Sequence, residues 1–243
     1  MNILGISAGF HDAAAAVIDE HGDIVFAGHS ERYSKHKNDA NISTDLFSEA
    51  LSFGPIGHVA YYERPLYKQM RRLYSGEGID WNQITLGQVL SRQLCGFKFP
   101  RYSSHNHHLS HAAAGFQTSP YDRATVVVID AIGEWDTISI WGAEYVKGRA
   151  KYTRLWGQKF PHSIGLFYSA MTQRVGLKPN EEEYILMGMA AYGERGFGAL
   201  LQQDHIAHEY EIRFKDNFHA GINAGYLNHV GEVDLAAGAQ EIA

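Results

Sequence analysis

The sequence predicts an α/β protein built from two lobes of related construction. Three observations carry this. Near the N-terminus three short apolar segments are separated by tight polar turns, which suits an antiparallel meander because parallel neighbours need longer crossovers. Helical and extended segments then alternate. A second series opens after residue 120, and both series read apolar strand, Gly-x-x-Asp, apolar strand, with Gly9 to Asp12 in one and Gly133 to Asp136 in the other.

Residues Ile3–Ser7, Ala13–Asp19 and Ile24–Ala27 are the meander, with turns at Gly9–Asp12 and His21-Gly22-Asp23. Ser43 caps a helix carrying Leu46, Phe47, Ala50 and Leu51, and Gly54-Pro55 ends it. His58–Tyr62 is extended and returns to the sheet by a crossover. Gln83–Leu94 and Leu109–Phe116 are helices. Thr125–Ile129 is the plainest strand, followed by Thr137–Trp141 and Tyr152–Trp156. Ser163–Val175 puts Ile164, Phe167, Tyr168, Met171 and Val175 on one helical side, and Gly176 and Pro179 stop it. Glu181–Tyr192 and Glu232–Ala243 are the last helices. The lobes are residues 1–120, ending in the histidine-bearing helix, and residues 121–243, the start of a second lobe with a helical insert.

Composition narrows the function. Hydrophobic residues are 45% and charged residues 20%, a globular balance. The net charge of −6 argues against a bulk basic surface, so nucleic acid is not expected as a partner. No run approaches the roughly 18 apolar residues of a membrane span, and the N-terminus lacks a basic leader. The single cysteine, Cys95, rules out an internal disulfide and is read as core; a cytoplasmic setting is expected.

Four of the 14 histidines fall within residues 105–111. His107 and His111 are four apart, which on a helix brings two imidazoles to one face within reach of one ion. Neutral imidazole suits zinc, iron or nickel, and a complete site needs further ligands. The plain alternative is a polar helix start. The two Gly-x-x-Asp loops could cradle phosphate on backbone N–H groups, with His11 and Asp12 in one and Asp130, Gly133, Glu134 and Asp136 in the other. The alternative there is ordinary hairpin turns. Glu31–Lys37 is a charge run that fits a solvated loop or an anion site, and Arg64, Lys68 and Arg72 fit a solvent-facing stripe.

Several segments in order, ILGISAGFHDAAAAVI (3–18), ERYSKHK (31–37), HHLSHAAAGF (107–116), VVVIDAIGEWDT (126–137), the stretch from Pro161 to Gly193, and DLAAGAQEIA (234–243), resemble the O-carbamoyltransferases that tailor nodulation factors and antibiotics. The resemblance implies duplicated ribonuclease-H-like lobes of the actin/hexokinase/Hsp70 type, a fold shared with the tRNA threonylcarbamoyl-transfer enzymes. It implies ATP as cofactor and a divalent metal, iron foremost, with zinc or magnesium as the other ions. Carbamoyl phosphate would be the donor, through a carbamoyl-adenylate, and a hydroxyl of a small molecule such as a sugar the acceptor, in a biosynthetic role. On the same basis His107 and His111 match the metal-binding pair, His11 and Asp12 the acceptor-side catalytic loop, and Asp130, Gly133, Glu134 and Lys37 the nucleotide-phosphate contacts.

Ala131 follows Asp130 where the family has glycine, Ile185 stands where a lysine is usual, and Asn38 where a histidine is common. Family members are about twice this length. The expectation is therefore a second lobe left incomplete, with the C-terminal half supplied in cis or in trans. The other readings are a non-catalytic binding module and a relative acting on tRNA.

Overall fold

The computed structural model describes residues 1–208 and 212–243. The chain forms two compact units, Met1–Ala113 and Ala114–Ala243.

The first unit is built on β1 (Asn2–Ser7), β2 (Ala14–Ile18), β3 (Ile24–His29), β4 (Ile56–Tyr61) and β5 (Tyr102–Ser104), in the order β3-β2-β1-β4-β5. β2 is antiparallel to both β1 and β3, while β4 runs parallel to β1 and β5 parallel to β4. That order, with only the second strand reversed, is the ribonuclease-H-like arrangement. The two-residue period decides which side chains go inside: Leu4 and Ile6 of β1 and Ala15 and Val17 of β2 are buried. They pack with Leu46 and Phe47 of α2 (Thr44–Ser52) and with Leu90 of α4 (Leu86–Gln93). Both helices start where the sequence supplies a cap. Ser43 Oγ accepts from the Leu46 amide at 3.2 Å, and Thr85 and Gln88 form a reciprocal capping box. The charge run splits into a short helix α1 (Ser30–Ser34), ended by left-handed Lys35, and an exposed turn at Lys37.

Two expectations are corrected here. Cys95 is exposed, because α4 ends at Gln93 and Cys95 takes a left-handed φ of 50° that turns the chain outward; the buried residue is Leu94. Arg64, Lys68 and Arg72, expected to face solvent, lie at the start of and along α3 (Pro65–Tyr74) and are all partly buried. Gln69 and Arg71 are buried and Lys68 nearly so, while Leu66, Met70, Leu73 and Tyr74 are exposed. The inward cations have carboxylate partners: Lys68 pairs with Glu63, and Arg71 with Glu77.

In the second unit β6 (Arg123–Gly133), β7 (Asp136–Val146) and β8 (Arg149–Lys159) form an antiparallel sheet in sequence order. This repeats the opening meander of the first unit, and two such beginnings in one chain match the duplicated actin/hexokinase/Hsp70 plan. Helices α6 (Ile164–Arg174), α7 (Glu183–Ala190), α8 (Phe197–His205) and α9 (Glu232–Ile242) enclose a core of Phe167, Met171, Leu186, Leu201 and Leu235, beside the short strands β9 (Ile206–His208) and β10 (Arg213–Phe214). No helix among the described residues is long and apolar enough to cross a membrane.

Candidate functional site

In the first unit the chemistry-bearing residues follow the carboxyl ends of three parallel strands, the position where open α/β sheets bind ligands. Gly9–Asp12 follows β1, Tyr62 and Glu63 follow β4, and the histidine segment follows β5. The first loop turns on Gly9 (φ 95°) and Asp12 (φ 51°), and the Gly9 and Ala13 amides donate to the carbonyls of Ala40 and Asp39. Those bonds fix a tight bend, and His11 Nδ1 lies 2.8 Å from Asp12 Oδ2. Asp12, His29 and Glu31, all half-buried, each bring one ligand atom to within 4.8 Å of the others. The end of β4 anchors this loop, since the Tyr61 hydroxyl donates to the Ala8 carbonyl at 2.6 Å. Burial, together with the neighbouring Glu63 charge, pushes that hydroxyl's pKa well up and keeps it a donor.

The four clustered histidines have separate fates on and before α5 (His107–Gln117). Asn106 Oδ1 accepts from the Leu109 amide and caps this helix, two residues earlier than the periodicity suggested. His105 Nε2 lies 2.9 Å from Ser103 Oγ, and His108 is wholly buried. His107 and His111 sit one turn apart with their Nε2 atoms 3.0 Å from each other. That is close to the roughly 3.0 Å between adjacent ligands on an octahedral ion with metal–nitrogen bonds of roughly 2.1 Å, and shorter than the roughly 3.4 Å of a tetrahedral one. The donor set and its spacing fit a divalent metal.

Two residues beside the pair were missed from the sequence. Glu63 is only 4% exposed; Lys68 Nζ donates to its Oε1 at 2.7 Å, and its Oε2 is 3.5 Å from His107 Nδ1. Burial alone would raise the Glu63 pKa, but His107 and the Lys68 charge outweigh it and hold the carboxyl below its ordinary value. Lys68 was read as a solvent-facing stripe residue. The signal available was an acidic residue two positions after a strand and five residues before a lysine in the first turn of the next helix.

In the second unit Asp130, half-buried, lies where β6 loses register with β7 between Ile129 and Gly133. The pairing resumes at Gly133, which pairs with Asp136 across a two-residue turn, Glu134-Trp135. Glu134 is buried and left-handed at φ 59°. Asp136, the other carboxylate of this loop, is committed elsewhere: Arg154 donates to both of its oxygens at 2.9 and 2.8 Å. Ser163 Oγ caps α6 and donates to the Ala131 carbonyl at 2.7 Å, so the helix start and the irregular strand segment are tied together. Gly165 completes that junction. A Cβ there would lie 2.8 Å from the Ala131 backbone N and Cα, and backbone cannot swing aside. Gly165→Ala is expected to destabilise the chain by about 1–3 kcal/mol and to shift Asp130, checked by denaturant melts and by amide chemical shifts of residues 129–133.

A family model described as carbamoyltransferase N-terminus matches residues 56–231. The chain belongs to the carbamoyltransferase N-terminus family. An uncharacterized protein of Synechocystis is 34% identical over 94% of this chain and 40% of its own length. Nodulation protein NolNO of Sinorhizobium fredii is 26% identical over 76% of this chain and 28% of its own length. The chain thus spans well under half the length of these curated relatives. Among solved structures it is similar to the activator of 2-hydroxyisocaproyl-CoA dehydratase from Clostridium difficile with bound ADPNP, at a TM-score of 0.47 and 12% identity over 98% of this chain and 70% of that one. The carbamoyltransferase N-terminus match covers β4, the histidine helix and the Asp130 loop, and ends at Gly231, before α9; β1 to β3 lie outside it.

Proposed function

We propose that this chain is the nucleotide- and metal-binding N-terminal part of an O-carbamoyltransferase. The reaction would move a carbamoyl group from carbamoyl phosphate, through a carbamoyl-adenylate formed with ATP, to a hydroxyl of a small molecule such as a sugar. The observation that carries this reading is the convergence of His107 Nε2 and His111 Nε2, 3.0 Å apart, within a member of the carbamoyltransferase N-terminus family.

The residues divide the work by their chemistry. His107 and His111 hold a divalent ion, iron foremost, which when bound offsets phosphate charge and polarises the adenylate. The backbone N–H groups of Gly133 and Glu134 would contact the nucleotide phosphates, Asp130 would hold the cation that accompanies them, and Lys37 would supply a positive charge toward them. Asp12 receives the proton of the acceptor hydroxyl. As the acceptor oxygen bonds to the carbamoyl carbon, the bond from that carbon to the adenylate oxygen breaks and AMP leaves. His11, whose Nδ1 lies 2.8 Å from Asp12 Oδ2, fixes the direction of the carboxylate. The setting proposed is the cytoplasm, and the chain is proposed to act together with the part of the family's length that it does not span, in cis or in trans.

The test is transfer of labelled carbamoyl phosphate to a panel of sugars and aminoglycoside-like alcohols, by this chain co-expressed with the C-terminal portion of a full-length family member. The expected result is product that requires ATP and the divalent ion and is abolished by Asp12→Asn. No ATP-dependent product with any acceptor, from a complex that forms stably, contradicts the proposal.

A further inference from the structure

We propose that Glu63 is a positioning residue that sets His107 for metal binding, by fixing its proton on Nδ1 and directing the Nε2 lone pair toward His111. This rests on the metal reading above. A carboxylate that is 4% exposed is costly unless its charge is met. Lys68, donating at 2.7 Å, meets it through Oε1 alone, and Oε2 is turned toward the imidazole, 3.5 Å from Nδ1. A histidine has two nitrogens, and the one beside an acceptor carries the proton while the other is left to ligate. Here the nitrogen away from Glu63 is the one 3.0 Å from His111 Nε2.

The surroundings leave the ring little freedom. The Tyr62 ring stands edge-on to the His107 ring at 5.1 Å between centroids. Ser110 Oγ, one turn along α5, donates to the Tyr62 carbonyl at 2.8 Å and pins the helix to the end of β4. Glu63, Tyr62 and the helix therefore hold one imidazole from three directions. Lys68 explains itself in the same frame. It is drawn inward from α3 to neutralise the carboxylate that does the positioning.

The test is cobalt(II) titration of the 243-residue chain, followed by ligand-field absorbance and by competition with a chelator. Glu63→Gln keeps the size but turns an amide N–H₂ toward either Lys68 or His107. The expected result is roughly 10–100-fold weaker cobalt binding and shifted absorption bands, since the identity of the outer partner tunes the ligand. Should Glu63→Gln fail to fold, nitrogen chemical shifts of His107 in the metal-free wild type decide the matter. The Nδ1–H tautomer is expected, and the Nε2–H tautomer overturns the proposal. Unchanged affinity and spectrum in folded Glu63→Gln overturn it too, while loss of cobalt binding in His107→Ala/His111→Ala leaves the metal reading standing. If that double variant binds cobalt as wild type does, both readings fall together.

Discussion

Phe167→Ala is expected to cost about 3–5 kcal/mol, enough to lower the melting temperature by on the order of 10 °C. Phe167 is wholly buried at the centre of the second unit. Its ring stacks on Phe214 at 5.6 Å, meets Phe218 edge-on at 5.3 Å and lies 6.1 Å from the ring of His205. Truncation leaves a cavity bounded by helices α6 and α8 and the β10 strand, elements that close on different sides and cannot all collapse inward. Phe167→Leu, which keeps much of the volume, loses less. Chemical denaturation measures both variants, and an alanine variant within 1 kcal/mol of wild type contradicts this account of the core.

The second large effect is at the histidine pair. Wild-type chain is expected to gain about 2.7 kcal/mol of stability when divalent metal is present at 100 times its dissociation constant. His107→Ala/His111→Ala is expected to gain nothing. The variant is a fair control because alanine is the best helix former and both positions lie in the first turns of α5. Lys68 still meets the charge of Glu63 in that variant. Thermal melts with and without zinc, cobalt or ferrous ion, the last under anaerobic conditions, measure the difference. Equal metal-induced shifts in both proteins would move the metal elsewhere on the chain.

Much of the frame was legible in the sequence because it depends on local rules. Alternating apolar residues and short turns specify β1 to β3, and the caps at Ser43 and Ser163 specify where helices begin. The i, i+4 spacing of His107 and His111 was enough to place two imidazoles together, since a helix fixes that geometry by itself. What escaped the sequence depends on partners distant along the chain. Lys68 and Arg72 have the periodicity of a solvated stripe, and only the positions of Glu63 and Glu77, which pair with them, reveal that they turn partly inward. Cys95 follows buried Leu94, and a left-handed turn that sequence alone did not announce carries it to the surface. The irregular stretch at Asp130 was equally hidden. TVVVI reads as a strand that stops at Asp130, whereas β6 runs on to Gly133 with its pairing to β7 shifted after Ile129. His11 and Asp12 are adjacent in sequence and so met by necessity, but the company of Asp12 with His29 and Glu31 required the β2–β3 pairing.

The metal is the claim on which the functional reading turns. Elemental analysis of the chain, purified anaerobically without added metal beside His107→Ala/His111→Ala, addresses it directly. About one equivalent of a divalent transition metal per wild-type chain, iron foremost, is expected, and none in the double variant. A wild-type chain that carries no metal and takes up none on reloading, or a double variant with the same content as wild type, would contradict it.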